Sequence, residues 1–158
     1  MSAIDFSTLT IGDTVVESEI PLSRASLVDY AAASGDHNPI HWNERFAREV
    51  GLDDVIAHGM LSMAAVIAPV AEWLGDPGAI VDYRTRFSAP VVVPDAESGS
   101  PATPTTSLKL TATVGAVDPA VGTARIDIAV KSGEADVLSR RSAVRLRPAI
   151  PVLTERES

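Results

Sequence analysis

Along this chain the spacing of apolar residues changes once, near residue 79, from helical to alternating. Thr14 to Ile20 predicts a short strand, ended by Pro21. Ser23 stands at the N-cap position of a helix from Arg24 to Ala33, whose buried stripe is Leu27, Val28, Tyr30 and Ala31. The serine hydroxyl accepts from first-turn amides that have no other partner. Ser34-Gly35 stops that helix, and Asp36-His37-Asn38-Pro39-Ile40-His41 reads as a compact polar turn, since the proline ring disfavours helical backbone at Asn38. Asn43 caps a second short helix through Val50, closed by Gly51. The longest element is a helix from Met60 to Leu74, between Gly59 and Gly75. It is apolar on almost every side, the pattern of a buried helix. Pro69 is expected to kink or interrupt it by removing a backbone donor and crowding the preceding turn.

Beyond Ala79 every segment alternates. Val81, Tyr83, Thr85 and Phe87 share one face, with Asp82, Arg84 and Arg86 on the other. Leu108, Leu110, Ala112 and Val114 form a second apolar face; Ala124, Ile126, Ile128 and Val130 form a third. Leu138, Arg140, Ser142, Val144 and Leu146 line a last strand. Period two with one apolar face marks half-buried antiparallel strands, joined here by turns at Asp118-Pro119 and Ser132-Gly133. A sheet that is apolar on one face needs a cover, and an apolar helix needs a wrapper. The expected class is α+β: one antiparallel sheet wrapped around a long central helix, a single hot-dog fold over residues 1–147. Residues 94–106, rich in Pro, Ser and Thr, read as a mobile loop, and residues 148–158 as a C-terminal tail.

Composition narrows the function classes. With 158 residues, 46% of them hydrophobic, the chain builds one core. The absence of cysteine excludes disulfides, thiolate catalysis and cysteine-ligated metal, and fits a reducing cytoplasm, the localisation expected here. Net charge is −8, with ten acids against three bases in residues 1–60 and six against eight in residues 101–158. Nucleic acid is a poor partner for such a chain, because its phosphates demand a basic face. Met1 to Leu9 carries no basic residue and does not read as a targeting segment. Met60 to Leu74 is too short for the ~30 Å of a bilayer core, so no membrane association is expected.

The chemistry concentrates in Tyr30 to His41, YAAASGDHNPIH. One carboxylate, Asp36, and one imidazole, His41, sit five residues apart on a tight turn, where both can reach one water or one proton. Spacing alone favours a structural turn, since Asp and Asn are frequent in turns. Two features add weight to chemistry. Gly35 and Asn38-Pro39 stiffen the backbone around the pair. Ala57-His58-Gly59-Met60 opens the buried helix, where free amides and the helix dipole stabilise a negative oxygen.

This chain closely resembles the MaoC-like hydratases and dehydratases, also called R-specific enoyl hydratases. Their signature is an aromatic residue, a short spacer, Ser/Thr-Gly-Asp-x-Asn-Pro-aliphatic-His and a small residue six positions later. It is supplied here by Tyr30, Ser34, Gly35, Asp36, Asn38, Pro39, Ile40, His41 and Ala47. Ala33 departs from it, where a larger aliphatic residue or glycine is usual. The resemblance runs from Phe6 to Arg147 and is strongest to the catalytic B subunit of mycobacterial-type (3R)-hydroxyacyl-ACP dehydratases. It implies reversible dehydration of (3R)-hydroxyacyl thioesters to trans-2-enoyl thioesters in fatty-acid metabolism, with type II elongation as the pathway. Asp36 and His41 are then the catalytic pair, and Gly59 holds the thioester oxygen. Asn38 orients the turn or the substrate, and Ser62 lines the pocket. His58 reads as a satisfied structural histidine and His37 as a solvent-facing turn residue. No histidine or acid cluster has metal-ligand spacing, and no metal or organic cofactor is expected.

The resemblance also implies an acyl carrier protein or coenzyme A as carrier. Arg84 and Arg86 are the leading candidates for carrier phosphates, with Arg140, Arg141, Arg145 and Arg147 behind them. It further implies a heterodimer with a non-catalytic hot-dog subunit, or alternatively a homodimer. Two rival functions remain: a hot-dog thioesterase, for which the central helix offers only Glu72, and a non-catalytic acyl-thioester-binding or assembly subunit, which would have no use for Asp36 and His41.

Overall fold

The computed structural model describes residues 4–139 and 142–147. Arg140, Arg141 and the expected tail over residues 148–158 lie outside them. Strand β1 (Thr14–Leu22) leads into helix α1 (Arg24–Ser34), then a 3-10 turn (Pro39–His41), helix α2 (Glu44–Glu49) and the long helix α3 (Gly59–Leu74). Strands β2 (Ile80–Arg84), β3 (Thr106–Asp118), β4 (Thr123–Ser132), β5 (Ala135–Asp136) and β6 (Ala143–Leu146) follow. They form one antiparallel sheet in the order β1-β3-β4-β6-β2, with β5 paired to β4. This is the hot-dog arrangement expected from the alternation.

The caps read from the sequence form as expected. Ser23 and Ser26 make a reciprocal capping box at the start of α1, and Gly35 closes it in the left-handed conformation at φ 75°. Asn43 caps α2 through its side-chain oxygen. The inward faces of β3, β4 and β6 are buried as the alternation requires, from Leu108 through Val114, Ala124 through Val130, and Val144 with Leu146.

Four expectations change. Pro21 does not end β1, because β1 is an edge strand where a missing backbone donor is tolerated. Helix α3 runs through Pro69 without interruption. Val66 and Val70, both fully buried, fix the turns on either side, and their packing offsets the ~3 kcal/mol of an internal proline. Nor is α3 buried all round. Ser62, Val66, Val70 and Leu74 form its buried stripe, while Met60 is 57% exposed and Ala64 and Ala68 face outward, since one sheet covers one side of a helix. Val28 and Val81 are exposed rather than buried. In β2 the register shifts between Ile80 and Asp82, so Val81 is the extra residue of a bulge and is turned out of the core.

Residues 94–105 form no helix or strand. Backbone bonds from Ala25 to Pro101 and from Thr105 to Leu22 tie this segment to the start of α1 and the end of β1. No helix among the described residues is long and apolar enough to cross a membrane.

Candidate active site

The turn after α1 is built by its own polar side chains. Ser34 Oγ donates to the Tyr30 carbonyl at 2.7 Å and accepts from the Asp36 amide at 3.2 Å. Asp36 Oδ1 accepts from the Asn38 amide, and Asn38 Oδ1 from the Ile40 amide. One carboxylate oxygen of Asp36 is thereby spent on the turn, and the other, Oδ2, lies 4.0 Å from His41 Nε2. The Asn38 side chain is likewise committed to the turn and does not line the cavity described below.

His41 is held from behind. Its Nδ1 lies 2.7 Å from the Ile56 carbonyl, which can only accept, so Nδ1 carries the proton. Nε2 of the neutral ring therefore carries the free lone pair, 4.0 Å from Asp36 Oδ2. The Ile56 amide donates to the Ile40 carbonyl, and Ala57 bonds back to Val91, so the strand-like segment before α3 clamps the turn. The His41 side chain is 9% exposed and that of Asp36 is 53% exposed. Atoms 4.0 Å apart can both reach one oxygen atom at ~2.8 Å, with an angle at that oxygen of roughly 90°.

A cavity of about 360 Å³ opens beside His41, lined by His41, Ile56, Gly59, Ser62, Phe87 and Val137 among others; Asp36 reaches it only through His41 and is not part of its wall. Gly59 is the first residue of α3, where the leading amides have no acceptor within the helix and no side chain caps them. The positive end of the helix dipole thus faces the same space as His41 Nε2. A Cβ on Gly59 would meet the Phe87 ring at 3.0 Å, so glycine keeps the amide accessible. Ser62 is buried, with its hydroxyl on the His58 carbonyl at 3.3 Å.

The other candidates stand elsewhere. Arg84 and Arg86 are exposed and do not line the cavity, and Arg84 pairs with Asp82 at 2.9 Å. Arg145 and Arg147 border a separate cavity at the far end of β2, beside Val81. Glu72 lies on the exposed side of α3, in a groove against β1, away from His41. His37 is exposed, and its carbonyl accepts from the Trp42 indole at 3.0 Å.

His58 departs from the expectation of a satisfied structural residue. It is 1% exposed, stacks on His41 with ring centroids 3.7 Å apart and donates Nε2–H to the Asp36 carbonyl at 3.1 Å. Its Nδ1 is buried without a partner among the described residues. Burial holds its pKa below the usual imidazole value, with the His41 ring adding to that effect and Asp36 opposing it. The spacing of apolar residues gave no sign of this stack, which exists because residues 55–58 fold back over the turn. Phe87, the cover over Gly59, was likewise assigned to an ordinary strand face.

The ligand atoms of Asp36, His41 and His58 lie within 4.8 Å of one another, a convergence hidden by their separation in sequence. The set fits a cation poorly. Rings stacked at 24° direct their lone pairs along nearly parallel planes rather than at one point, and one nitrogen of each already bonds a carbonyl. The arrangement suits proton movement.

Comparison with known proteins places the chain among relatives of one family. Over 73 residues, 46% of its length, the chain is 44% identical to the 3-hydroxyacyl-thioester dehydratase X of Mycobacterium tuberculosis, of which it spans 25%. Over 87 residues, 54% of its length, it is 38% identical to the (R)-specific enoyl-CoA hydratase of Rhodospirillum rubrum, of which it spans 56%. The chain thus spans no more than about half the length of either relative. Among solved structures, a MaoC-like dehydratase superposes with a TM-score of 0.82 at 34% identity, covering 92% of this chain and 42% of that one. The R-hydratase PhaJ1 of Pseudomonas aeruginosa gives 0.73 at 26% identity, covering 92% and 86%. The family model described as MaoC like domain matches residues 6–100, which include the whole turn, the Gly59 helix and the Phe87 wall. On that match, over more than half its length, this chain belongs to the MaoC-like domain family.

Proposed function

We propose that this chain is a hydro-lyase that interconverts (3R)-hydroxyacyl and trans-2-enoyl thioesters. One observation carries the reading: the free nitrogen of His41 is 4.0 Å from Asp36 Oδ2, and His41 lines a cavity bounded by the amide end of α3. In dehydration, His41 Nε2 takes the C2 proton and negative charge develops on the thioester oxygen. The Gly59 amide stabilises that charge, a contribution typically of ~3 kcal/mol. The C3–O bond breaks as the double bond forms, and the oxygen leaves as water against Asp36. Net, one proton passes from C2 to the departing oxygen through the pair, which ends as it began. Hydration is the reverse, with the shared water as nucleophile.

The substrate class follows the names of the relatives, which are thioester dehydratases and enoyl-CoA hydratases. The carrier is coenzyme A or an acyl carrier protein, in fatty-acid metabolism. Arg86, one residue before Phe87 at the cavity wall, is the better placed of the two arginines for a carrier phosphate. A second hot-dog subunit completes the acyl channel. The uncovered face of α3 at Met60, Ala64 and Ala68 leaves room for it, and the solved MaoC-like dehydratase is more than twice the matched length. The catalytic domain spans residues 1–147.

The test is the full chain, alone and co-expressed with candidate hot-dog partners, given crotonyl-CoA. Loss of the conjugated enoyl absorbance, abolished in folded Asp36→Asn and His41→Ala, supports the reading. Release of free thiol would instead identify a thioesterase. Tight binding without turnover under every pairing would identify an acyl-binding subunit.

A further inference from the structure

His58 touches both members of the pair yet lies outside the wall of the cavity. It is one of the most completely buried polar side chains, and it takes no part in the chemistry proposed above. We propose that His58 is a positioning residue: its Nε2–H clamps the Asp36 carbonyl while its ring is the platform for His41, so that one buried side chain sets the separation of carboxylate and imidazole. This inference rests on the hydro-lyase reading of the site.

The geometry dictates which form of His58 does this. Nε2 faces a carbonyl and must carry a proton, so the neutral ring has its lone pair on Nδ1. A second proton on Nδ1 would be buried without an acceptor. It would also place a cation at the N-cap of α3, the positive end of the helix dipole, and 3.7 Å from the His41 ring. The titratable groups packed against His58 are Tyr30 from α1, with centroids 4.9 Å apart, and Asp36 and His41 from the turn. The Asp36 residue favours the charged ring, through its carbonyl and then its carboxylate, whose Oδ1 is spent on the Asn38 amide, but burial outweighs both. Burial accordingly lowers the pKa of His58. A neutral His58 leaves His41 as the single imidazole of the stack that changes charge during turnover.

A ring that only filled space would be replaceable by another ring, and a donor that only closed the turn by another donor. His58→Phe keeps the platform and removes the clamp, whereas His58→Gln keeps a donor and removes the platform. With crotonyl-CoA and the intact assembly, each variant is expected to lose roughly 10²-fold in kcat, the typical cost of ~1 Å misplacement, with KM within about threefold of wild type. The pH profile of kcat should shift in His58→Phe, where the interaction between the two imidazoles is gone. In wild type, nitrogen NMR of the histidine rings should find His58 as the neutral Nε2–H tautomer. Full kcat and an unchanged profile in both variants, with an active wild type, would overturn the positioning role and leave the hydro-lyase reading standing. Inactive wild type under every pairing would remove the hydro-lyase reading, and the NMR tautomer still decides: a doubly protonated His58 at neutral pH overturns the inference without any turnover.

Discussion

Asp36 Oδ2 and His41 Nε2 are separated by 4.0 Å, too far for a direct hydrogen bond and the right span for one shared oxygen atom. Two groups that act on one water are not independent. Asp36→Asn and His41→Ala should each lower kcat by ~10²–10⁴-fold. The double variant should be scarcely slower than the worse single one. Additive losses in single-turnover rates would mean that the two side chains serve separate steps.

Gly59 has a steric as well as an electronic role, since a Cβ there would meet Phe87 Cε2 and Cζ at 3.0 Å. Gly59→Ala keeps the amide donor but pushes the ring into the cavity mouth, and kcat/KM should fall roughly tenfold through displaced substrate. Phe87→Ala in the same chain should restore most of the loss. Steady-state kinetics on the three variants checks this, and no recovery would place the defect in the helix start instead.

Arg24 ties α1 to the segment that clamps His41. Its guanidinium pairs with Asp54 at 2.5 Å and donates to the Val93 carbonyl at 2.7 Å, with both charged side chains largely buried. Arg24→Ala leaves the buried Asp54 carboxylate with only the Val55 amide and the more distant Arg48, at 3.9 Å, and should cost about 2 kcal/mol in urea unfolding. Arg125→Ala, which breaks a half-exposed pair with Asp127, should cost about 0.5 kcal/mol. Equal losses would show that the buried network contributes nothing special.

The stacked histidines make a poor cation site, so extensive treatment with EDTA should leave the hydration rate within about twofold. Loss of activity on chelation, restored by one divalent ion, would mean that the rings rearrange to bind it.

Tyr83 carries a buried hydroxyl with no partner among the described residues, and burial pushes its pKa from 10.0 up to about 12. Between those values the unfolded chain releases a proton that the folded chain keeps. Stability is therefore fully present below the lower value and falls as pH rises from about 10 to about 12. Tyr83→Phe removes this share of the alkaline slope and gives up no hydrogen bond. Urea midpoints measured across that range, for both proteins, report the difference.

Local code carried much of this protein. The Ser23 and Asn43 caps, the Gly35 stop and the alternation of β3, β4 and β6 depend on neighbours a few residues away, and all were legible in the order of residues. So was the juxtaposition of Asp36 and His41, because one tight turn holds both. What tertiary structure decided depends on segments far apart in the chain. The bulge that turned Val81 outward is a property of pairing with β6, and the bare side of α3 reflects how far one sheet reaches. The tautomer of His41 is set by the Ile56 carbonyl, and the place of His58 by a chain reversal of twenty-two residues. Periodicity records which face of an element is apolar. It carries no information on which distant backbone atom meets a ring nitrogen, and here that contact determines which nitrogen of His41 keeps its lone pair.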